Sequence, residues 1–246
     1  MTTSITYFGT TFGLFALATL LSQVDAGLVV TNGGSGSSKQ SPIDIKEQDT
    51  QVVIVPISMK TCTSIDPSKT SSITFNDYAT PLDFVMRNEG DTVKVYLNNT
   101  EVIPLIQAPY VSEAEFKFSH FLFHWGGKNT VGSEHLFDGI AAPLEVQLVH
   151  FNTKYGKTIE DVLASEDASD KLIVLGALFD IIPCSVKAFD PFINKLKEVG
   201  SPGLEAKVTG LKLEDLLPTD KKTFFSYEGS LTMPRCEQVV AWTVFK

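Results

Sequence analysis

From residue 72 to residue 245 the chain is a succession of short apolar runs punctuated by turn residues. Thr92-Val-Lys-Val-Tyr-Leu97 alternates polar and apolar side chains, the period of two that marks a strand with one buried face. Ser72–Phe75 and Leu82–Met86 read the same way, with Asn88-Glu-Gly90 and Asn98-Asn99 as turns. Phe116–Trp125 predicts an aromatic strand stopped by Gly126-Gly127, and Leu144–Phe151 predicts another. Leu172–Ile182 and Val239–Phe245 are apolar enough to be central in a sheet. Helical periodicity is sparse: Ile159–Ala164, and Phe189–Val199 with an apolar face at Phe192, Ile193 and Leu196. The expectation is a mostly β (α+β) domain with a few peripheral helices. Beyond Gln40 no repeat or linker divides it.

The start of the chain reads differently. Residues 7–21 are mostly apolar, and small residues follow at Ala26-Gly27, so residues 1–26 are expected to be a secretory signal peptide. No Lys or Arg precedes Lys39, which departs from the usual basic start. Residues 27–39, with Asn32-Gly-Gly-Ser-Gly-Ser-Ser38, predict a flexible leader. This run falls short of the ~20 residues of a span and no second run reaches that length, so no membrane span is expected after signal cleavage. Secretion changes how cysteines are read: Cys62, Cys184 and Cys236 can form one disulfide and leave one thiol, the pairing being open. Asn98-Asn99-Thr100 is a glycosylation sequon at a predicted hairpin tip. A formal net charge of -9 disfavours nucleic acid and anionic membranes, leaving neutral, cationic or small-molecule partners.

Chemistry enters at Gln40-Ser-Pro-Ile-Asp-Ile45, Phe123-His-Trp-Gly126, Gly132-Ser-Glu-His135 and Pro143-Leu-Glu-Val-Gln-Leu-Val-His150. Phe151-Asn-Thr-Lys-Tyr-Gly156, Leu172-Ile-Val-Leu-Gly176, Tyr227-Glu-Gly-Ser-Leu-Thr-Met-Pro234 and Trp242 continue the series. In this order and spacing the chain resembles the α-carbonic anhydrases. The resemblance implies a domain over residues 40–246 built on a central twisted, mainly antiparallel sheet. It also implies a zinc ion held by three histidines, two from one strand and one from its antiparallel neighbour. Such an ion lowers the pKa of its bound water to ~7, giving a hydroxide that attacks carbon dioxide. Here the ligand positions hold Leu122, His124 and Gln147. Leu has no lone pair to give, and an amide oxygen is a weaker zinc donor than imidazole. The chain's remaining histidines are His120, His135 and His150. On a strand His120 and His124 lie ~13 Å apart, too far to share an ion. His135 and His150 are expected to be hydrogen-bonded core residues. Asp91 stands at the proton-shuttle position, where a carboxyl with a pKa near ~3.9 is a poor relay at neutral pH.

The resemblance assigns the rest of the pocket as retained. Thr232 and Glu134 match the gatekeeper pair, expected to be vestigial here, and Glu145 matches the acid behind the third ligand. Without an imidazole N–H, Glu145 needs another donor, such as the amide of Gln147. Val149, Val174, Leu231, Val240 and Trp242 match the apolar wall that accepts carbon dioxide, and equally suit core packing. Cys236 occupies the family's disulfide position; Cys62 is its expected partner and Cys184 the free thiol. Relative to the family the chain reads as shortened at both ends, so a truncated, poorly folding product is one alternative. The leading expectation is a secreted, catalytically impaired relative, with no cofactor, that binds an unknown extracellular protein or small molecule. The alternative is a zinc-dependent carbonate dehydratase with a degraded metal site.

Overall fold

The computed structural model describes residues 39–46, 73–98, 101–108, 110–166, 168–184 and 186–245. The expected signal peptide, most of the leader, Cys62, and Asn99 and Thr100 of the sequon lie outside these residues.

A ten-stranded sheet organises the domain. Its strands are β2 (Thr74–Asn76), β3 (Leu82–Asn88), β4 (Val93–Leu97), β5 (Leu105–Ala108), β6 (Ser112–Trp125), β9 (Leu144–Asn152), β10 (Leu172–Phe179), β11 (Glu205–Leu211), β12 (Phe224–Gly229) and β13 (Val240–Phe245). The order is β11-β3-β4-β6-β9-β10-β13-β12, and β5 also pairs with the long β6 and carries β2. All pairs are antiparallel except β10 with β13. A second, small sheet joins β1 (Asp44–Ile45), β7 (Leu136–Phe137) and β8 (Ile140–Ala141).

The apolar runs explain this order. Every residue of β9 and β13 is buried, as expected of strands covered on both faces, and the polar Glu145, Gln147, His150 and Asn152 of β9 and Thr243 of β13 are buried with their apolar neighbours. By contrast β3 and β11 alternate buried with exposed positions. At the β3–β4 turn Gly90 has φ +102, a conformation that a side chain would strain, and its N–H bonds Asn88 Oδ1. Helix α1 (Ile159–Ala164) has the expected bounds; a capping box between Thr158 and Asp161 starts it, and it buries Val162.

Two expectations are corrected. Strand β10 ends at Phe179 rather than Ile182, because its partner β9 begins at Leu144, directly opposite. The helix expected over Phe189–Val199 is broken into a 3-10 turn at Lys187–Phe189, a four-residue α2 (Asp190–Ile193) and a 3-10 turn at Leu196–Val199. Such short helical pieces have little stability of their own; docking Phe192, Leu196 and Val199 into the core holds them.

The two faces of the large sheet have separate cores. One is a continuous cluster including Phe84, Met86, Phe121, Phe123, Val146, Leu148, Ile173 and Leu175. The other, on the opposite face, gathers Val149, Val174, Val240, Trp242 and Val244 toward the β13 end.

Candidate functional site

Neighbouring strands bring the three ligand positions together. Leu122 of β6 lies directly opposite Gln147 of β9, and His124 lies opposite Glu145. Side chains two apart on a strand share a face, so all four belong to the face that carries Val149 and Val174. Glu134 reaches the same point from the segment before β7. Leu122, Gln147 and Glu145 are buried.

The side-chain amide of Gln147 is the centre of the arrangement. Its Nε2 donates to Glu134 Oε2 at 2.9 Å and to Glu145 Oε1 at 3.0 Å. Glu145 Oε2 accepts from the backbone N–H groups of Glu134 and His135, each at 2.9 Å, and Oε1 accepts from His135 Nδ1 at 2.7 Å. Burial works to raise the Glu145 carboxyl, but His135 beside it, through its ring and its backbone N–H, together with nearby His124 outweighs burial and holds it at about 2. The donor that Glu145 was expected to need is therefore Gln147, with three further donors that the sequence did not reveal.

A chain of buried polar groups supports Glu145. His135 Nε2 lies 2.7 Å from the Tyr227 hydroxyl, which is 3.0 Å from Ser41 Oγ. Ser41 and Ser230 exchange backbone-to-hydroxyl bonds, and Trp242 Nε1 donates to Ser230 O. Burial pushes the Tyr227 hydroxyl well above its ordinary pKa, so it stays protonated as a hydrogen-bonding group. A Cβ at Gly229 would meet Ser41 Oγ at 2.2 Å; this close approach requires glycine. Tyr227, Ser41 and Ser230 are the residues that sequence reasoning missed. The available signal was polar side chains embedded in otherwise apolar blocks.

His124 is different. Its Nε2 is buried, 3.3 Å from Glu134 Oε2, yet makes no hydrogen bond of acceptable geometry. The other histidines stand elsewhere. His150 is buried on the opposite face against Tyr78 and Ile173 O, and burial lowers its pKa to about 3. His120 bonds Ser119 Oγ at 2.9 Å beside the Tyr96 ring, and burial followed by the charge of Lys94 lowers it to about 3.

Of the residues expected to form an apolar wall or core packing, Val149, Val174, Val240 and Trp242 share one buried cluster, with Leu231 packed against it. The expected gatekeeper pair is not joined by a hydrogen bond. Among the described residues the Glu134 carboxylate is engaged by Gln147 instead of by Thr232. Cys184 is an exposed free thiol and Cys236 a half-buried free thiol; the expected Cys62–Cys236 pairing involves Cys62, which lies outside the described residues. Asn98 follows β4 and is half-buried.

The donor set does not fit the family's zinc. Leu122 offers no donor atom, and Gln147 turns the hydrogens of its amide toward two carboxylates. His124 is the remaining imidazole. Among the described residues no three His, Cys, Asp or Glu side chains converge where a metal could be held.

The sequence profile of eukaryotic-type carbonic anhydrase matches residues 31–246. Carbonic anhydrase 6 of Mus musculus is 33% identical over 214 residues, covering 86% of this chain and 61% of that protein. Its Homo sapiens counterpart is 32% identical, covering 85% and 62%. A stretch of the Homo sapiens receptor-type tyrosine-protein phosphatase zeta is 33% identical over 213 residues, covering 85% of this chain and 8% of that protein. The chain spans about three fifths of the length of the carbonic anhydrase 6 relatives. With the mainly antiparallel sheet and a profile match over most of its length, the chain belongs to the eukaryotic-type carbonic anhydrase family.

Proposed function

We propose that this protein is a secreted member of the family that has given up zinc chemistry and uses the fold as a binding module for an extracellular protein or small molecule. The observation that carries the reading is the pair of replaced ligand positions, with the Gln147 amide bonded to two carboxylates. Losing contacts behind the ligands already costs ~10–100-fold in metal affinity or activity, and loss of two ligands costs more. The apolar stretch at residues 7–21 and the sequon at Asn98 support secretion. Among the described residues no helix is long and apolar enough to cross a membrane. The match inside a protein named as a receptor-type phosphatase supports a use of this fold apart from hydration.

Zinc analysis of the purified, dialysed protein, with a carbon dioxide hydration assay, tests the reading. Substoichiometric zinc and no hydration above background are expected. One zinc per chain with measurable hydration would establish instead a carbonate dehydratase with an altered metal site.

A further inference from the structure

We infer that Gln147 does in this chain, without a metal, what a cation would otherwise have to do: it holds two carboxylates, the part-buried Glu134 and the buried Glu145, side by side. The inference rests on the reading of the centre as metal-free. Both carboxylate oxygens lie within 3.0 Å of one nitrogen, so the two groups stand no more than about 6 Å from each other. Glu145 is fully buried. Two negative charges at that distance in a poorly hydrated place repel strongly unless something positive or hydrogen-donating stands between them.

Proton inventory identifies glutamine as the suitable residue. Its NH2 group carries two hydrogens, one for each carboxylate. A neutral imidazole at the same position carries one, satisfies one carboxylate, and turns a lone pair toward the other. That lone pair is useful to a metal and unfavourable without one. Carboxylates accept only, so the amide must present nitrogen to both; the orientation of Gln147 follows from its partners. Leu122, directly opposite and buried, brings no polar group that would need a partner of its own. One polar atom remains unmatched in the arrangement, Nε2 of His124. The two replacements thus work together: one removes a ligand that would be orphaned, and the other supplies the donors that keep the retained acids in place.

A double-mutant cycle on the full secreted chain tests this, with thermal unfolding as the readout. Gln147→Met keeps the length of the side chain and removes both donors; it is expected to lower the unfolding midpoint by about 5–10 °C. Glu134→Gln is expected to cost little in the native background, because an amide oxygen still accepts from Gln147. In the Gln147→Met background the same change removes one unmatched charge and should raise the midpoint by several degrees. That reversal of sign distinguishes charge bridging from packing. Equal effects of Glu134→Gln in both backgrounds would overturn the inference, as would a Gln147→Met protein as stable as the native chain. If Gln147→Met does not fold, rescue by Glu134→Gln supports the inference and failure of the double variant overturns it. Zinc content of the native protein is measured separately, so failure of the metal-free reading is distinguishable from failure of the bridge.

Discussion

The two faces of the large sheet carry different burdens. One face is mainly apolar from β3 to β13, and aromatic rings of Phe84, Phe118, Phe121 and Phe123 meet there edge-on or tilted. The other face is divided. Its β9–β13 end is apolar, with Val149, Val174, Val240 and Trp242, while its β4–β6 end presents Tyr96 opposite His120 and Lys94 opposite Leu122. Leu122, His124, Glu145 and Gln147 sit on the border between these halves. The comparison teaches how residues at the expected ligand positions can vary in this fold. The first face supplies the continuous core, and the ligand positions lie on the second, so chemistry can change there while the sheet persists.

Adjacent residues of β6 test this division most sharply. Phe121 faces the continuous core and is fully buried; Leu122 faces the pocket and belongs to neither apolar cluster. Phe121→Ala is expected to cost ~3–5 kcal/mol in urea unfolding, and Leu122→Ala about 2 kcal/mol. Equal losses would break the comparison.

Next in size is the gain expected from the double change Leu122→His with Gln147→His. If the border is otherwise intact, zinc affinity measured by calorimetry should rise by more than the ~10–100-fold that outer contacts alone provide. A folded double variant that still fails to hold zinc would show that the acids and pocket wall no longer form a usable surround.

A smaller effect concerns acid. His150, on the first face, has its pKa lowered to about 3 by burial, against about 6.5 in the unfolded chain. Between these values the unfolded chain holds a proton that the folded one lacks. Stability from this source is therefore full above pH 6.5 and is lost as pH falls toward 3. The unfolding midpoint of His150→Gln should depend less steeply on pH between 6 and 4 than that of the native protein. An unchanged slope would remove His150 from the account.

The smallest effect is expected at Cys184, exposed and away from both cores. Cys184→Ser should change stability by no more than about 0.5 kcal/mol. Native Cys184 should react rapidly with a thiol reagent; slow labelling would show that the site is covered.

Much of this was legible because the strongest strands advertise themselves. The runs at 82–86, 92–97, 144–151 and 239–245 lie within one or two residues of β3, β4, β9 and β13. Strand β11 escaped because its first buried residue is the small Ala206 and Thr209-Gly210 interrupts its alternation, and Ser112–Glu115 of β6 because its residues are mainly polar. At the site, the replaced ligands were visible residue by residue. The second acceptor of Gln147 was not, since Glu134 comes from a separate segment and only the folded sheet sets their separation. Nor did sequence reveal the line from His135 through Tyr227 to Ser41, whose ends are 94 positions apart in the chain but one hydroxyl apart in space.

The parallel pairing of β10 with β13 has a consequence for synthesis. Strand β13 is interior, lying between β10 and β12, although it is the last strand along the described chain. When β10 leaves the ribosome its outer edge has no neighbour; β11 emerges and pairs with β3, and β12 then has no place to attach until residues 240–245 follow. The nascent chain therefore carries an open, apolar sheet edge through the synthesis of about sixty residues, a period in which chaperone contact or mispairing competes with closure.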